Sequence, residues 1–190
     1  TSLLKVLMGL LRPNEGSVTL DGNDIWSLSA ASYRHCVAGV LQNDGLFAGS
    51  IAENICGFDE QPDFAAIEEC AERAAILEAI RRMPMGFETL VGDMGSTLSG
   101  GQKQRIVLAR ALYQKPRILF LDEATSHLDE ETEGVIARAL RGLRMTRVIV
   151  AHRPATVAHA DMIIPFARLA EPRIGIAARV RPFRTERAGA

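Results

Sequence analysis

The run ILFLDE, residues 118–123, carries four apolar residues into two adjacent carboxylates. It reads as a buried parallel strand, with Asp122 and Glu123 at the carboxyl end, where open α/β sheets place their ligands. Neighbouring carboxylates are costly to bury unless a cation or a proton transfer engages them. A hydrated Mg²⁺ suits Asp122, and a water awaiting activation suits Glu123. A strand that merely stops in a polar loop explains Asp-Glu taken alone. The surroundings argue against that plain reading. LSGGQ at 98–102 precedes the strand, SHLD at 126–129 follows it, His152 closes the next apolar run RVIVAH, and Gln42 follows VAGVL. Singly, His152 fits a hydrogen-bonded structural histidine and Gln42 a solvated loop residue. Together, in this order and spacing, they form a set too specific to be accidental.

The stretch STLSGGQKQRIVLARAL, residues 96–112, opens a long helix on a serine and two glycines. Glycine costs about 1 kcal/mol against alanine in a helix interior. At a helix start it leaves backbone N–H groups uncovered, so that an anion can come close. A tight turn at Gly100-Gly101 also accounts for the glycines by themselves. Ile106, Val107, Ala109, Ala111 and Leu112 stripe this helix, and Lys103, Gln104, Arg105 and Arg110 form its wetter side.

These residues need elements to hold them. Leu3, Leu4, Val6, Leu7, Leu10 and Leu11 recur at helical spacing until RPNEG, 12–16, supplies turn residues. SVTLDG predicts a short strand entering a turn at Asp21-Gly22. A short helix over 29–35 and the buried-strand run 37–41 follow. Between 43 and 104 helical segments dominate and strand signals almost vanish, which predicts an inserted helical subdomain. A helix over 130–143 leads to a strand over 147–152, and HADMII enters a late strand. Strand, helix, strand with fully apolar strands predicts a parallel sheet covered on both faces.

The 190 residues, 47% hydrophobic, suit one globular domain or a domain with a small insert. Such a length buries a core without disulfides or metal staples. The net charge of -1 gives no electrostatic case for nucleic acid. Cys36, Cys56 and Cys70 lack metal-ligand spacing and read as small apolar residues in a reducing compartment. No apolar run approaches the roughly 18 residues of a membrane span. No signal peptide is expected, because the chain opens directly on the helical pattern TSLLKVLMGLL.

The set resembles the ATP-binding-cassette (ABC) family of ATPases, from residue 1 to about residue 164. LSGGQ matches the family signature, ILFLDE the Walker B strand, Gln42 the Q-loop, SHLD the D-loop and His152 the switch histidine. LFAGSIAENI after Gln42 and ETLVGDMG before the signature resemble membrane exporters. VLQNDGLFAGSIAENI and DEATSHLDEETE further resemble peptidase-containing bacteriocin exporters of the colicin V type, His127 included. The implied fold is α/β: a P-loop NTPase (RecA-like) parallel-sheet core over 1–42 and 105–164, N-terminally incomplete. The helical signature subdomain is inserted at 43–104.

The resemblance also implies roles, with ATP and Mg²⁺ as cofactors. Phosphoryl transfer asks a protein mainly for positioning, charge neutralisation and an oriented water. Asp122 would hold Mg²⁺, and Glu123 would polarise the attacking water. His152 would contact the γ-phosphate, and Gln42 would touch Mg²⁺ and report to transmembrane domains. Ser99, Gly100, Gly101 and Gln102 would meet the γ-phosphate held by a second nucleotide-binding domain in a head-to-tail homodimer. Asp129 would lie across that interface. The helical subdomain would receive the coupling helices of the membrane domain, at the cytoplasmic face of a bacterial inner membrane. The exported substrate would be a bacteriocin-like peptide, with no nucleic acid as partner.

Two departures qualify the match. The phosphate cradle G-x-x-x-x-G-K-[ST] is absent, while Thr1 and Ser2 resemble its closing hydroxyls, Thr1 as a Mg²⁺ ligand. Without the lysine and the nest of N–H groups, most of the triphosphate's binding energy is lost, so the chain alone is expected not to bind ATP usefully. The last 26 residues hold six arginines, no lysine, two acids and three prolines. Residues 165–190 are expected to be an aberrant, disordered tail from a frame shift or contig edge, with a basic amphipathic tail as the other reading. Two alternatives stay open: a soluble ABC-type ATPase acting on nucleic acid or the ribosome, and an inactive gene relic.

Overall fold

The computed structural model describes residues 2–92, 98–122, 129–151, 157 and 160–164. Helix α1, Ser2–Leu7, is shorter than its leucine pattern. The pattern stops helping at Gly9, whose φ of 70 is left-handed, and Leu10 N–H closes back onto the Lys5 carbonyl at 2.8 Å. A Cβ at Gly9 would also stand 3.3 Å from the Tyr33 ring, so glycine is required there on two counts. Leu10 and Leu11 consequently lie exposed beyond the helix.

Strands β1, Thr19–Leu20, and β2, Asn23–Asp24, form a hairpin. Asp21 at φ 52 and Gly22 at φ 82 give the two-residue turn its left-handed pair. Ser29 caps α2, Ala30–Cys36, by accepting the Ser32 N–H. Strand β3, Val37–Val40, follows directly.

Strand β6, Ile118–Asp122, lies between β3 and β7, Thr146–Val150, in a three-stranded parallel sheet. All five β6 residues are buried, as their unbroken apolar run predicts for a strand covered on both faces. Ile118 and Phe120 pack toward Leu4, Ile25 and Tyr33. Leu119 and Leu121 point the other way, into a larger core built with α3, Ile51–Cys56, α4, Phe64–Arg73, and α5, Leu77–Arg81. Each fully buried aliphatic side chain of this kind contributes about 1.5–3 kcal/mol.

Within residues 43–104 the described strands are β4, Gly49–Ser50, and β5, Leu90–Val91, an antiparallel pair of two residues each. Helix α6, Gly100–Tyr113, runs from this segment to the underside of the sheet, and Ile106, Val107 and Ala109 join the same core as Leu119. Helix α7, Glu130–Arg141, connects β6 to β7. The late strand expected at HADMII does not form over 160–164. Ala160 N–H instead bonds the Val157 carbonyl, and Pro165 follows, a residue that lacks a ladder donor and restricts its predecessor. Met162 and Ile163 stay exposed. Residues 165–190 lie outside the described residues.

Candidate phosphate site

Parallel register decides which side chains share an edge. Val40 pairs with Leu121, and Asp122 pairs with Val150. The carboxyl ends of β3, β6 and β7 therefore lie side by side, spanning about 10 Å across three strands. Asp122 is the last residue of β6 and is 2% exposed. Gln42 lies two residues beyond β3, exposed, in a turn where Asp44 N–H bonds the Leu41 carbonyl at 3.1 Å and Leu41 N–H bonds Asp44 Oδ2 at 2.7 Å. The sheet thus brings Asp122 and the turn that carries Gln42 to one edge, at the ends of adjacent strands. Glu123, His152 and Thr1 lie outside the described residues, as do Ser126 and His127. Ser2 is the first residue of α1, two residues before the buried Leu4.

The signature stretch forms the first turn of α6. Ser99 Oγ accepts the Gln102 N–H at 3.2 Å, and Gln102 Oε1 accepts the Ser99 N–H at 2.9 Å, a reciprocal capping box. Gly100 and Gly101 are the first residues of α6, the helix end at which N–H groups can meet an anion. Leu98, 6% exposed, pins the turn to the core.

Asp129 caps α7. Its Oδ1 accepts the Thr132 N–H at 2.8 Å and its Oδ2 the Thr132 hydroxyl at 2.9 Å. These bonds, the backbone one foremost, hold the Asp129 carboxyl below its usual range, with Arg105 adding attraction.

Sequence reading places Arg105 and Arg110 on the wetter side of α6; both are in fact half-buried and fully engaged. Arg105 donates to the Ala75 carbonyl at 2.6 Å and the Gly101 carbonyl at 3.2 Å, fastening the first turn of α6 to the end of α4. Arg110 donates to the Asn54 carbonyl at 2.8 Å, to Asn54 Oδ1 at 2.7 Å and to the Gly45 carbonyl at 3.2 Å. Burial lowers the pKa of both guanidinium groups, Arg110 the more closely surrounded by protein. Asn54 was not singled out by the sequence. Its one signal is its place in SIAENI, where helical spacing puts it beside Ile51 and Ile55 on the face that meets the core.

Oxygen donors at a sheet edge suit a hydrated Mg²⁺, which keeps several waters and takes few protein ligands. Among the described residues no group of three or more His, Cys, Asp or Glu side chains forms a cage for a more demanding ion. The donor set of Asp122 and Gln42 is compatible with Mg²⁺, and the start of α6 with a phosphate.

A parallel sheet that ends in a buried acid at its carboxyl edge, with an amide-bearing turn just beyond the neighbouring strand, fits a P-loop NTPase core. The ABC transporter family model matches residues 1–126, and the chain belongs to that family, as part of its ATPase domain. The chain is 52% identical over 164 residues to "Probable microcin-H47 secretion/processing ATP-binding protein MchF" of Escherichia coli, covering 86% of this chain and 24% of that protein. It is 51% identical over 164 residues to "Colicin V secretion/processing ATP-binding protein CvaB" of Escherichia coli, with the same coverage of 86% and 24%. It therefore spans about a quarter of the length of these curated relatives. A solved bacterial Atm1-family ABC exporter with ATP bound superposes with a TM-score of 0.79 at 37% identity, covering 84% of this chain and 28% of that one.

Proposed function

We propose that these residues serve the ATP-driven step of an exporter that moves a bacteriocin-like peptide out of a bacterial cell. The observation that carries the reading is the register of β3 and β6, which sets Gln42 beside Asp122 at one carboxyl edge. Similarity of about half the residues to secretion proteins for microcin H47 and colicin V supports the choice of cargo.

In this reading Asp122 and Gln42 hold Mg²⁺ through oxygen, with Thr1 as a further ligand and Ser2 beside the phosphates. When bound there, Mg²⁺ would supply neutralisation of phosphate charge. Glu123 takes the proton of the attacking water, and His152 holds the γ-phosphate in register. Ser99, Gly100, Gly101 and Gln102 face the nucleotide of a second copy, and Asp129 lies at the seam between the two, so the domains close head to tail. The 43–104 segment meets the membrane domain. Phe47, Phe58 and Leu90, 58%, 47% and 57% exposed around the β4–β5 pair, supply an apolar surface for that contact, on the cytoplasmic side of the inner membrane.

The 190-residue polypeptide holds no G-x-x-x-x-G-K cradle. By itself it binds Mg-ATP weakly, because backbone N–H groups and a lysine normally grip the β- and γ-phosphates. Calorimetric titration tests both halves of this reading. The chain alone should show no saturation with Mg-ATP, whereas a longer polypeptide adding a Gly-Lys cradle ahead of Thr1 should bind and hydrolyse it. Glu123→Gln in the longer polypeptide should stop hydrolysis and leave binding intact. Saturable binding by the short chain refutes the dependence on the cradle, and undiminished hydrolysis by the variant refutes the role of Glu123.

A further inference from the structure

Gln42 and the signature turn sit on different elements, and a polar connection joins the segment after Gln42 to α6. Asn54, in α3, is fully buried, and its amide is used on every side. Its Nδ2 donates to the Phe47 and Ser50 carbonyls, both at 2.9 Å, and its Oδ1 accepts the Phe47 N–H at 2.9 Å. The same Oδ1 accepts Arg110 Nη2 at 2.7 Å, while Arg110 Nη1 reaches the Gly45 carbonyl at 3.2 Å. The guanidinium also stands 4.6 Å from the centre of the Phe47 ring. Asp44, which closes the turn carrying Gln42, adds electrostatic attraction to Arg110. Segment 44–50 is thereby gripped by one side chain of α6, about 12 Å along the helix from Gln102.

We propose that Arg110 is a positioning residue that fastens the Gln42 segment to the signature helix, so that a displacement of one is carried to the other. A guanidinium suits this task because its planar fork holds three acceptors in fixed directions, which a lysine cannot do. The helix supplies the stiff arm, since its own hydrogen bonds keep residues 102 and 110 at a constant separation. The functional meaning rests on the reading of Gln42 as a contact to this copy's nucleotide and of residues 99–102 as contacts to the nucleotide of a second copy. The mechanical coupling does not, and its test uses no nucleotide.

Amide hydrogen exchange on the 190-residue chain gives the test, as a cycle of wild type, Asp44→Ala, Arg110→Lys and the double variant. Asp44→Ala removes the acceptor of the Leu41 N–H and loosens the turn at one end. In the wild-type background it should speed exchange of amides 102–105 by roughly fivefold, the ratio that corresponds to one lost hydrogen bond. In the Arg110→Lys background it should speed exchange over 41–50 and leave 102–105 unchanged. Equal acceleration at 102–105 in both backgrounds, or none in wild type, overturns the proposal. Protection of β6 amides 118–121 reports that each variant is folded. If Arg110→Lys loses that protection, Asn54→Asp takes its place in the cycle. Loss in both overturns the proposal, because the pair then holds the whole core and not one segment. Should the roles of Gln42 and residues 99–102 at a nucleotide fail, the exchange result stands unaffected, so the two failures are distinguishable.

Discussion

Truncating Asn54 to alanine should be among the most damaging single changes outside the apolar core. The side chain is fully buried and makes four hydrogen bonds, to Phe47 N–H, the Phe47 carbonyl, the Ser50 carbonyl and Arg110. Loss of a partner leaves a buried polar group costing about 1–3 kcal/mol, with charged donors at the upper end. Phe47 is exposed, so water can reach its peptide groups and recover part of the loss. The Arg110 Nη2 donor is less accessible, and the loss of its acceptor dominates, while its bonds to the residue-54 and Gly45 carbonyls remain. The void adds roughly 1 kcal/mol. The expected total is about 2–4 kcal/mol, a large share of the roughly 5–15 kcal/mol that holds a domain of this kind together. Urea unfolding followed by circular dichroism measures it, with the denaturant slope unchanged. The sharper check is a cycle with Arg110→Met, which removes the charge and keeps the stem. Once the guanidinium is gone, Asn54→Ala should cost less by about 1–2 kcal/mol. Additivity within about 0.5 kcal/mol would show that the two side chains do not depend on each other, and the reasoning would fail.

Two further predictions concern pH. Burial, helped by Cys36, pushes the Tyr33 hydroxyl from 10.0 up to about 12, and that hydroxyl donates to the Leu7 carbonyl. A raised pKa in the folded state favours the protonated form, so this contribution is fully present below pH 10 and is lost as pH rises from 10.0 to about 12. Tyr33→Phe should cost about 1 kcal/mol at neutral pH and flatten the decline of the thermal midpoint across that alkaline window; an equally steep decline refutes it. Asp129 has the opposite sign. Its pKa is lowered from 3.8 by the Thr132 bonds, so its contribution is present above that value and is lost as pH falls through the folded-state pKa. Asp129→Asn keeps a capping oxygen without a titrating group and should melt like wild type at neutral pH, but lose less stability in acid. Parallel acid curves for the two proteins would refute that assignment.

Much of this architecture was legible because its signals are local. ILFLD is buried on both faces, and an unbroken apolar run is what such a strand requires, so β6 and its parallel neighbours followed from pattern alone. Ser99 three residues before Gln102 announces a capped helix, and α6 starts there. The start of α7 at Asp129 likewise agrees with a helix expected from residue 130. What escaped depends on distance along the chain. Arg110 and Asn54 are 56 residues apart, and nothing local distinguishes an arginine that faces water from one that fills a buried fork. The leucines at 10 and 11 continue the periodicity of α1, yet Gly9 ends the helix because the Tyr33 ring occupies the space a side chain would need. HADMII has apolar content suited to a strand, but a strand needs a ladder neighbour as well as a pattern. The placement of Gln42 beside Asp122 was implied by motif order and became geometry only through the register of β3 on β6.

The capping box bears on how the signature could act. A serine and a glutamine at a turn proposed to face a phosphate suggest side chains waiting for a ligand. In this structure each already satisfies the other's backbone N–H, at 3.2 Å and 2.9 Å. Arg105 fixes the same turn from behind through the Gly101 carbonyl. The turn is therefore held by the protein's own groups, and the donors it would offer an anion are the backbone N–H groups of Gly100 and Gly101. Donors held in place in advance need no reorganisation when charge develops in front of them, which is where such groups contribute most. It follows that the glycines matter here for access to their N–H groups, since both adopt ordinary helical geometry and neither carries a positive φ. An alanine at 101 would preserve the helix and its cap, and narrow the approach to the donors. A loss of phosphate contact without a loss of stability would then trace to that approach alone.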